Sequence, residues 1–394
     1  MKYDFETLLS RKNQGSYKWE QMYEINPNVG EDVVPLSVAD MEIKTAPEIV
    51  EGLKNFLDNA ILGYTGPYPD FINAVKNWCE KRYGYTFDKK SLINTPGVVN
   101  AFYGAVNAFT EKGDGVVIFR PVYYPFSMAI EENERELINC SLIEKDGYYT
   151  IDFEKFDEIS KDPKVKLLIF CNPHNPVGRV WSREELTRLA EICVKNNVVV
   201  VSDEIHCDLI MPGHKFTSMM TIKNGIENLL ITCFAPSKTF NLAGLATSNI
   251  IVPNEELRNK YFKTLSLMKN TMVNVLGYKA CEIAYNECEE WVKELLQVLD
   301  TNQRMVKKFF DEKFPKIKAP LLEGTYLMWI DFRALGLSNE ELEKFMQTKA
   351  ELFTDEGYIF GEEGNGFERI NLAAPTYVIE KTLARLEKAL KDIY

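Results

Sequence analysis

The sequence predicts an α/β protein with two units: a large domain on a mostly parallel β-sheet flanked by helices, and a smaller α+β domain. Between residues 90 and 255, short runs of Val, Ile and Leu alternate with amphipathic or turn-rich segments. These runs are continuously apolar, which is typical of strands buried on both faces of a parallel sheet. After about Pro253 the pattern changes to long helical segments with a few separate strands.

Within the large domain the boundaries of several elements can be predicted. The clearest helix begins at Ser182, where Glu185 completes a capping-box pattern ahead of an apolar stripe. Another helix is expected over residues 99–110. The predicted strands are the apolar runs Val116–Phe119, Lys166–Cys171, Val198–Ser202, Leu229–Phe234 and Asn249–Val252.

The remainder of the chain predicts a long helix over residues 255–312 and an α+β unit over residues 317–394. The elements expected in that unit are a strand at Tyr326–Phe332, a helix capped by Ser338, a strand near Arg369–Ala373 and a final Lys- and Glu-rich helix.

These patterns suggest where the two domains divide. The chain has 394 residues, enough for two or three domains. The first 45 residues show no strong periodicity, and we expect them to pack on the second unit. We therefore predict a large domain over residues 46–285, and a small domain formed by residues 1–45 and 286–394.

Composition narrows the classes of function. With 46 Lys and Arg against 58 Asp and Glu, the net charge is −12, which argues against nucleic acid or an anionic membrane as the main partner. The apolar runs are too short to span a bilayer. The acidic N-terminal residues do not resemble a secretory signal, so we expect a cytoplasmic protein.

Cysteine and histidine usage argues against a metal site. The eight cysteines lie mostly inside apolar runs and never form a CxxC pair, so we expect buried thiols rather than disulfides or zinc ligands. Only three histidines are present. The motifs of nicotinamide dehydrogenases, P-loop enzymes and nucleophile-elbow hydrolases are also absent.

Three polar clusters follow predicted parallel strands, at the sheet edge where open α/β sheets bind ligands. The first cluster runs from Asn172 to Gly178 and contains two Asn-Pro pairs. Its prolines and glycine fix the backbone, so that Asn175 can present its amide as a rigid donor. An ordinary strand-to-helix turn is an equally good interpretation of this segment alone.

The second cluster is the Asp203-Glu-Ile-His206 segment after the most apolar strand. A carboxylate there is costly unless a cation pairs with it. Asp203 could instead cap a turn, and His206 alone would more simply be a hydrogen-bonded core histidine.

The third cluster surrounds Lys238, which follows a buried strand and has small and apolar neighbours. A desolvated lysine has a lowered pKa and becomes an amine nucleophile suited to Schiff-base formation. A solvated loop lysine is the simpler alternative.

Together the three clusters provide the groups that a pyridoxal cofactor requires. The lysine would carry it as a Schiff base, the carboxylate would keep the pyridine nitrogen protonated, and the amide would bind the ring oxygen. The turn at Asn94–Asn100 opens a predicted helix, whose free N–H groups would suit the phosphate. An ordinary Pro-Gly turn remains an alternative there.

The motifs N-P-x-N-P-x-G, D-E-I-H and S-K-T-F-N-x-A-G-L occur here in that order. Through them the chain resembles the fold-type I pyridoxal-phosphate enzymes of the class I/II aminotransferase superfamily, over about residues 30–390. The resemblance implies a seven-stranded type of sheet in the large domain and pyridoxal 5'-phosphate as cofactor.

The resemblance also assigns roles to individual residues. It implies that Lys238 is the Schiff-base lysine, that Asp203 partners the pyridine nitrogen, and that Asn175 binds the ring hydroxyl. The remaining cofactor contacts that it implies are Tyr123 stacking on the ring, Gly97, Val98 and Ser237 at the phosphate, and Tyr64 reaching the phosphate from a neighbouring subunit of a homodimer.

Substrate binding is implied at a separate residue. Arg369 matches the arginine that binds the substrate carboxylate, because a two-pronged donor fits a carboxylate well. A core tyrosine and a surface salt bridge are the alternatives for Tyr123 and Arg369.

Two departures separate this chain from aspartate-aminotransferase-like enzymes. His206 stands where they have a tyrosine beside the cofactor, and Ala246 stands where they have a phosphate-binding arginine. The D-E-I-H segment, the Val38-Ala-Asp-Met-Glu42 segment and Gly213-His214 resemble instead the cystathionine β-lyase, or C–S lyase, branch. Val38 and Ala39 would then line the substrate carboxylate beside Arg369.

The resemblance therefore implies a lyase that cleaves L-cystathionine, L-cysteine or related S-conjugates by β-elimination to a thiol, pyruvate and ammonia. An aminotransferase of class I/II is the alternative, since both reactions begin with loss of the Cα proton. A regulatory protein that retains the enzyme fold is a further alternative, because some proteins of this branch are thought to contact a transcription factor. No feature of the sequence indicates such a surface.

Overall fold

The computed structural model describes residues 1–394 and contains twelve β-strands. The strands are β1 (Leu92–Thr95), β2 (Gly115–Ile118), β3 (Glu136–Asn139), β4 (Ile143–Lys145), β5 (Tyr148–Thr150), β6 (Val165–Cys171), β7 (Val199–Asp203), β8 (Leu230–Phe234), β9 (Ser248–Ile251), β10 (Leu327–Asp331), β11 (Asp355–Glu356) and β12 (Phe367–Asn371). Seven of them form the larger sheet, in the order β1-β9-β8-β7-β6-β2-β3. A three-stranded sheet has the order β10-β12-β11, and β4 and β5 form a hairpin.

Thirteen α-helices accompany these strands. They are α1 (Tyr17–Ile25), α2 (Pro47–Leu57), α3 (Pro69–Tyr83), α4 (Val98–Phe109), α5 (Pro125–Glu131), α6 (Phe153–Ser160), α7 (Arg183–Asn196), α8 (Pro236–Thr239), α9 (Glu255–Leu267), α10 (Val275–Glu287), α11 (Glu289–Lys313), α12 (Asn339–Thr348) and α13 (Thr376–Leu390).

The predicted fold class is confirmed. Strands β3, β2, β6, β7 and β8 are parallel, whereas β9 runs antiparallel to both β8 and β1. The central strands β6, β7 and β8 are buried along nearly their whole length. Burial on both faces explains their continuous apolar sequence, since each face must pack against helices.

Two strands of the large sheet were not predicted. Strands β1 and β3 are four residues long and include polar side chains such as Asn94, Thr95 and Asn139. Both strands lie at the edges of the sheet, where burial is incomplete and the apolar pattern is therefore weaker.

The single long helix predicted over residues 255–312 is wrong, because the segment contains three helices. Helix α9 ends at Leu267, and α10 begins after Asn274, whose side-chain oxygen accepts the backbone N–H of Gly277 at 2.7 Å. The chain breaks again at Cys288, between α10 and α11. Helical periodicity continues through such short breaks, so the sequence pattern does not reveal them.

The two predicted capped helices are confirmed. The side chains of Ser182 and Ser338 each accept a hydrogen bond from the N–H of a glutamate three residues later, and the carboxylate of each glutamate accepts one from the serine N–H. This reciprocal arrangement satisfies two of the N–H groups that a helix start leaves unpaired.

The N-terminal segment contacts the three-stranded sheet, as expected. The N–H of Leu36 donates to the carbonyl of Phe353, and the N–H of Asn371 donates to the carbonyl of Leu36. The proposed domain boundaries stay a prediction. The larger of two hydrophobic clusters contains residues from both predicted units.

The structure also bears on membrane spans, disulfides and metal sites. No helix is both long enough and apolar enough to cross a bilayer. All eight cysteines are buried and unpaired, and no group of three or more potential ligands could hold a metal ion.

Candidate active site

A cavity of about 230 Å³ lies at the carboxyl ends of β6, β7 and β8. Adjacent parallel strands end at the same edge of a sheet, so the segments that follow them meet there. Nine of the predicted site residues line this cavity: Ala39, Gly97, Val98, Tyr123, Asn175, Asp203, His206, Ser237 and Lys238.

Lys238 enters the cavity from α8, four residues after the end of β8. Its Nζ donates a hydrogen bond to the carbonyl oxygen of Ala39 at 2.8 Å. Burial, together with the nearby positive charge of Arg369, lowers the pKa of the amine to about 8. Lys238 is therefore the desolvated amine that the sequence predicts.

Asp203 is the last residue of β7 and is almost fully buried. Its side chain accepts the N–H of Ile205 at 3.2 Å but forms no ion pair, although the sequence led us to expect a cation beside it. Burial raises the pKa of the carboxyl group to about 7, and the charge of Lys238 opposes this shift. A buried carboxylate without a cation suits the protonated ring nitrogen of a pyridine.

Asn175 and Arg369 come from distant parts of the chain and bind each other. Nη1 of Arg369 donates to Oδ1 of Asn175 at 2.8 Å. The Asn175 oxygen is thus engaged, which leaves the amide NH2 as the group that can donate to a ligand. Arg369 is buried on β12, so the alternative of a surface salt bridge is wrong.

Gly97 stands at the start of α4 with φ of 110°, a conformation that favours glycine. A Cβ placed on Gly97 would have no atom within 4 Å, so the space beside its backbone is open. The first N–H groups of an α-helix have no partner within the helix, and together with the helix dipole they favour an anion. This end of the cavity fits a phosphate, with Ser237 on its wall.

Comparisons with known proteins agree with this geometry. Residues 31–386 match the family "Aminotransferase class I and II". The chain belongs to this family. It is 40% identical to cystathionine beta-lyase PatB of Bacillus subtilis over 389 residues, which cover 98% of this chain and all of that relative.

Two solved structures of the family are also similar. Cystalysin from Treponema denticola, which contains a pyridoxal 5'-phosphate cofactor, has 54% sequence identity and a TM-score of 0.99 and is matched over all of both chains. A pyridoxal-phosphate-bound C-S lyase from Staphylococcus hominis has 31% identity and a TM-score of 0.91, covering 99% of this chain and 98% of that one.

Tyr123 and His206 form part of the cavity wall in this family member. Burial raises the pKa of the Tyr123 hydroxyl well above its usual range, so the ring is neutral. Burial and the charges of Lys238 and Arg369 hold the pKa of His206 well below its usual range. Nδ1 of His206 is buried and has no hydrogen-bond partner among the protein atoms.

Three predicted residues do not line the cavity: Tyr64, Val38 and Arg369. Tyr64 is 98% exposed and lies in the segment between α2 and α3. The N–H of Val38 donates to Oδ2 of Asp355 at 2.9 Å, and this same oxygen binds Arg369. Val38 therefore lies beside Arg369, whereas the Ala39 carbonyl faces Lys238.

Asp355, which binds Arg369, is a residue beside the cavity that the sequence analysis missed. It is half-buried in β11, directly opposite Arg369 of β12. Its segment has no apolar periodicity and no motif, and β11 is only two residues long. Asp355 can be recognised as the partner of Arg369 only once β11 and β12 are known to pair.

Proposed function

We propose that this protein is a pyridoxal-phosphate-dependent carbon–sulfur β-lyase. Its substrates would be L-cystathionine, L-cysteine or related S-conjugates, and its products a thiol, pyruvate and ammonia. The observation that carries the proposal is one cavity that contains the desolvated amine of Lys238 and the unpaired buried carboxylate of Asp203. The similarity to PatB and to cystalysin supports the lyase reaction in particular.

The cavity residues fit the cofactor at each of its functional groups. Lys238 would hold it covalently, Asp203 would keep its ring nitrogen protonated, and the amide of Asn175 would bind its ring oxygen. The turn at Gly97 and Val98, together with Ser237, would bind its phosphate. When bound, the cofactor supplies a protonated ring that accepts the negative charge formed at the substrate Cα.

The chain itself supplies a base and an anchor. A substrate carboxylate would bind the guanidinium of Arg369, which Asn175 holds from one side. Once the substrate amine has displaced it, the free amine of Lys238 would remove the Cα proton, because desolvation lowers its pKa to about 8 and so leaves about a tenth of it unprotonated at pH 7. The carbonyl of Ala39 accepts from Nζ and would orient the amine during this transfer.

The decisive experiment measures pyruvate release from L-cystathionine by the purified holoenzyme, with and without an added keto acid. We expect pyruvate and ammonia to form in equal amounts without any keto acid. If product forms only when a keto acid is supplied, the lyase assignment fails and the aminotransferase alternative stands. The aminotransferase alternative agrees with membership of this family, and both reactions would use Lys238 as the base.

We also propose a homodimer in which Tyr64 contacts the phosphate bound by the partner subunit. The side chains of Ile61, Leu62 and Tyr64 are strongly exposed in the single chain, which supports an interface there. Mixing Tyr64→Ala and Lys238→Ala subunits tests the arrangement, because one site of each mixed dimer would contain both residues. Random pairing of equal amounts should recover about a quarter of the activity of the unmodified protein, and no recovery would contradict the proposal.

We also propose a cytoplasmic location. The eight free buried thiols are consistent with a reducing compartment. Cell fractionation followed by immunodetection would test this location, and recovery of the protein outside the cytoplasmic fraction would contradict it.

A further inference from the structure

The guanidinium assigned to the substrate carboxylate already binds a carboxylate of the chain itself. Nη2 of Arg369 and Oδ2 of Asp355 are 2.5 Å apart, and their side chains are only 3% and 14% exposed. The same Oδ2 accepts the N–H of Val38 at 2.9 Å. One carboxylate oxygen thus binds both the arginine and the N-terminal segment.

The surroundings hold this pair in place. Asp355 and Arg369 are direct cross-strand partners in the β11–β12 ladder. Asn175 binds the other arm of the guanidinium, and the ring of Phe360 lies 4.7 Å from its central carbon. Nε of Arg369 is buried and has no hydrogen-bond partner. An incoming carboxylate must therefore share Arg369 with Asp355.

We propose that Asp355 is a specificity-determining residue that weakens the binding of α-carboxylates to Arg369 and so favours release of a keto-acid product. This inference rests on the proposed lyase function. Two carboxylates on one desolvated guanidinium repel each other, and the low dielectric constant strengthens that repulsion. An amino-acid substrate is held by its amine as well as its carboxylate, whereas pyruvate has only the carboxylate and leaves.

The variant Asp355→Asn separates charge from position. Because Oδ2 of Asp355 accepts from both Val38 and Arg369, the amide oxygen of asparagine can take the same place and keep both hydrogen bonds. Only the negative charge is lost. We expect pyruvate to inhibit β-elimination by D355N at a concentration about tenfold lower than for the unmodified enzyme.

A binding measurement provides a second readout that does not depend on turnover. Calorimetric titration of the holoenzyme with acetate should show about tenfold tighter binding to D355N, in line with the pyruvate inhibition. Glu356→Gln is the matched control, because Glu356 is the next residue of β11 and its carboxylate binds Gln347 rather than Arg369. We expect this control to leave both values within about twofold of the unmodified enzyme.

The outcomes distinguish this inference from the proposed function. If the unmodified enzyme releases no pyruvate from cystathionine, the proposed function fails. If it is active but D355N binds pyruvate and acetate no more tightly, the role of Asp355 is refuted. Asp355→Ser, also neutral, replaces D355N if that variant does not fold, and it too must bind acetate more tightly than the unmodified enzyme does.

Discussion

The two halves of the candidate site are built in different ways. The cofactor half, with Asn175, Asp203 and Lys238, consists of segments that follow three neighbouring strands of one sheet. The substrate half joins Val38 of the N-terminal segment to Asp355 and Arg369, which face each other on two paired strands. Parallel-strand topology alone brings the first group together, whereas the second depends on the pairing of a two-residue strand and on an N-terminal segment.

The halves also differ in their charge balance. In the cofactor half, the carboxylate of Asp203 has no cation within hydrogen-bonding distance, and its pKa is raised by burial. In the substrate half, the cation of Arg369 is already paired with Asp355. The proposed roles follow from this difference: a cationic ligand would complete the first half, whereas a substrate carboxylate would bind the second half in competition with Asp355.

The largest effect is expected from removing the amine of the cofactor half. Lys238→Ala should lower β-elimination by about 10⁴-fold or more, because both the covalent attachment and the base are lost. After borohydride treatment, mass spectrometry should find cofactor on the peptide that contains residue 238 in the unmodified protein but not in Lys238→Ala. The exposed Lys223 gives a control variant, Lys223→Ala, which should remain fully active and labelled.

A smaller loss is expected when the carboxylate of the same half is neutralised. Asp203→Asn keeps the shape but removes the charge that holds the ring nitrogen protonated, so kcat should fall by about 100- to 1,000-fold. Steady-state kinetics of pyruvate release would measure this change. Asp392→Asn, at an exposed position, is the control for loss of one negative charge. An Asp203→Asn enzyme with normal kcat would contradict the assigned role.

A substitution in the substrate half should weaken substrate binding but leave the cofactor bound. Arg369→Lys replaces a two-pronged donor by a single ammonium group, and KM for cystathionine should rise about 10- to 100-fold. The visible absorption of the bound cofactor should remain, which separates this variant from Lys238→Ala. Arg304→Lys, an exposed position, should leave KM unchanged. If Arg369→Lys lost as much bound cofactor as Lys238→Ala does, the two halves of the site would not be independent.

The smallest effect concerns the rate at which the apoprotein takes up the cofactor. Only the unprotonated amine of Lys238 can attack the cofactor aldehyde, and burial lowers its pKa to about 8. The unprotonated fraction, and with it the rate of incorporation, should therefore rise about fivefold between pH 7 and pH 8 and then level off. Stopped-flow absorbance would record this rate. A continued tenfold rise per pH unit up to pH 10 would show an ordinary, solvated lysine.

The sequence-based predictions were accurate where a local pattern of residues marks the structure and failed where no such pattern exists. The central strands were predicted within one or two residues, because burial on both faces requires continuous apolar runs. The helix breaks near residues 270 and 288 were missed because they interrupt the periodicity only briefly. In the site, Lys238 and Asp203 were found as polar residues placed after buried strands, but Asp355 carried no such signal.

The sequence by itself predicted the α/β class, the order along the chain of the strands that carry polar clusters, and the choice of Lys238 as the amine and Asp203 as the acid. Those features are local, since a buried strand and the polar segment after it are contiguous. Only the tertiary structure decided that the Ala39 carbonyl accepts from Lys238, 199 positions away, and that Asp355 shares Arg369. A backbone carbonyl has no residue type to recognise, and a cross-strand ion pair exists only once the strands have paired.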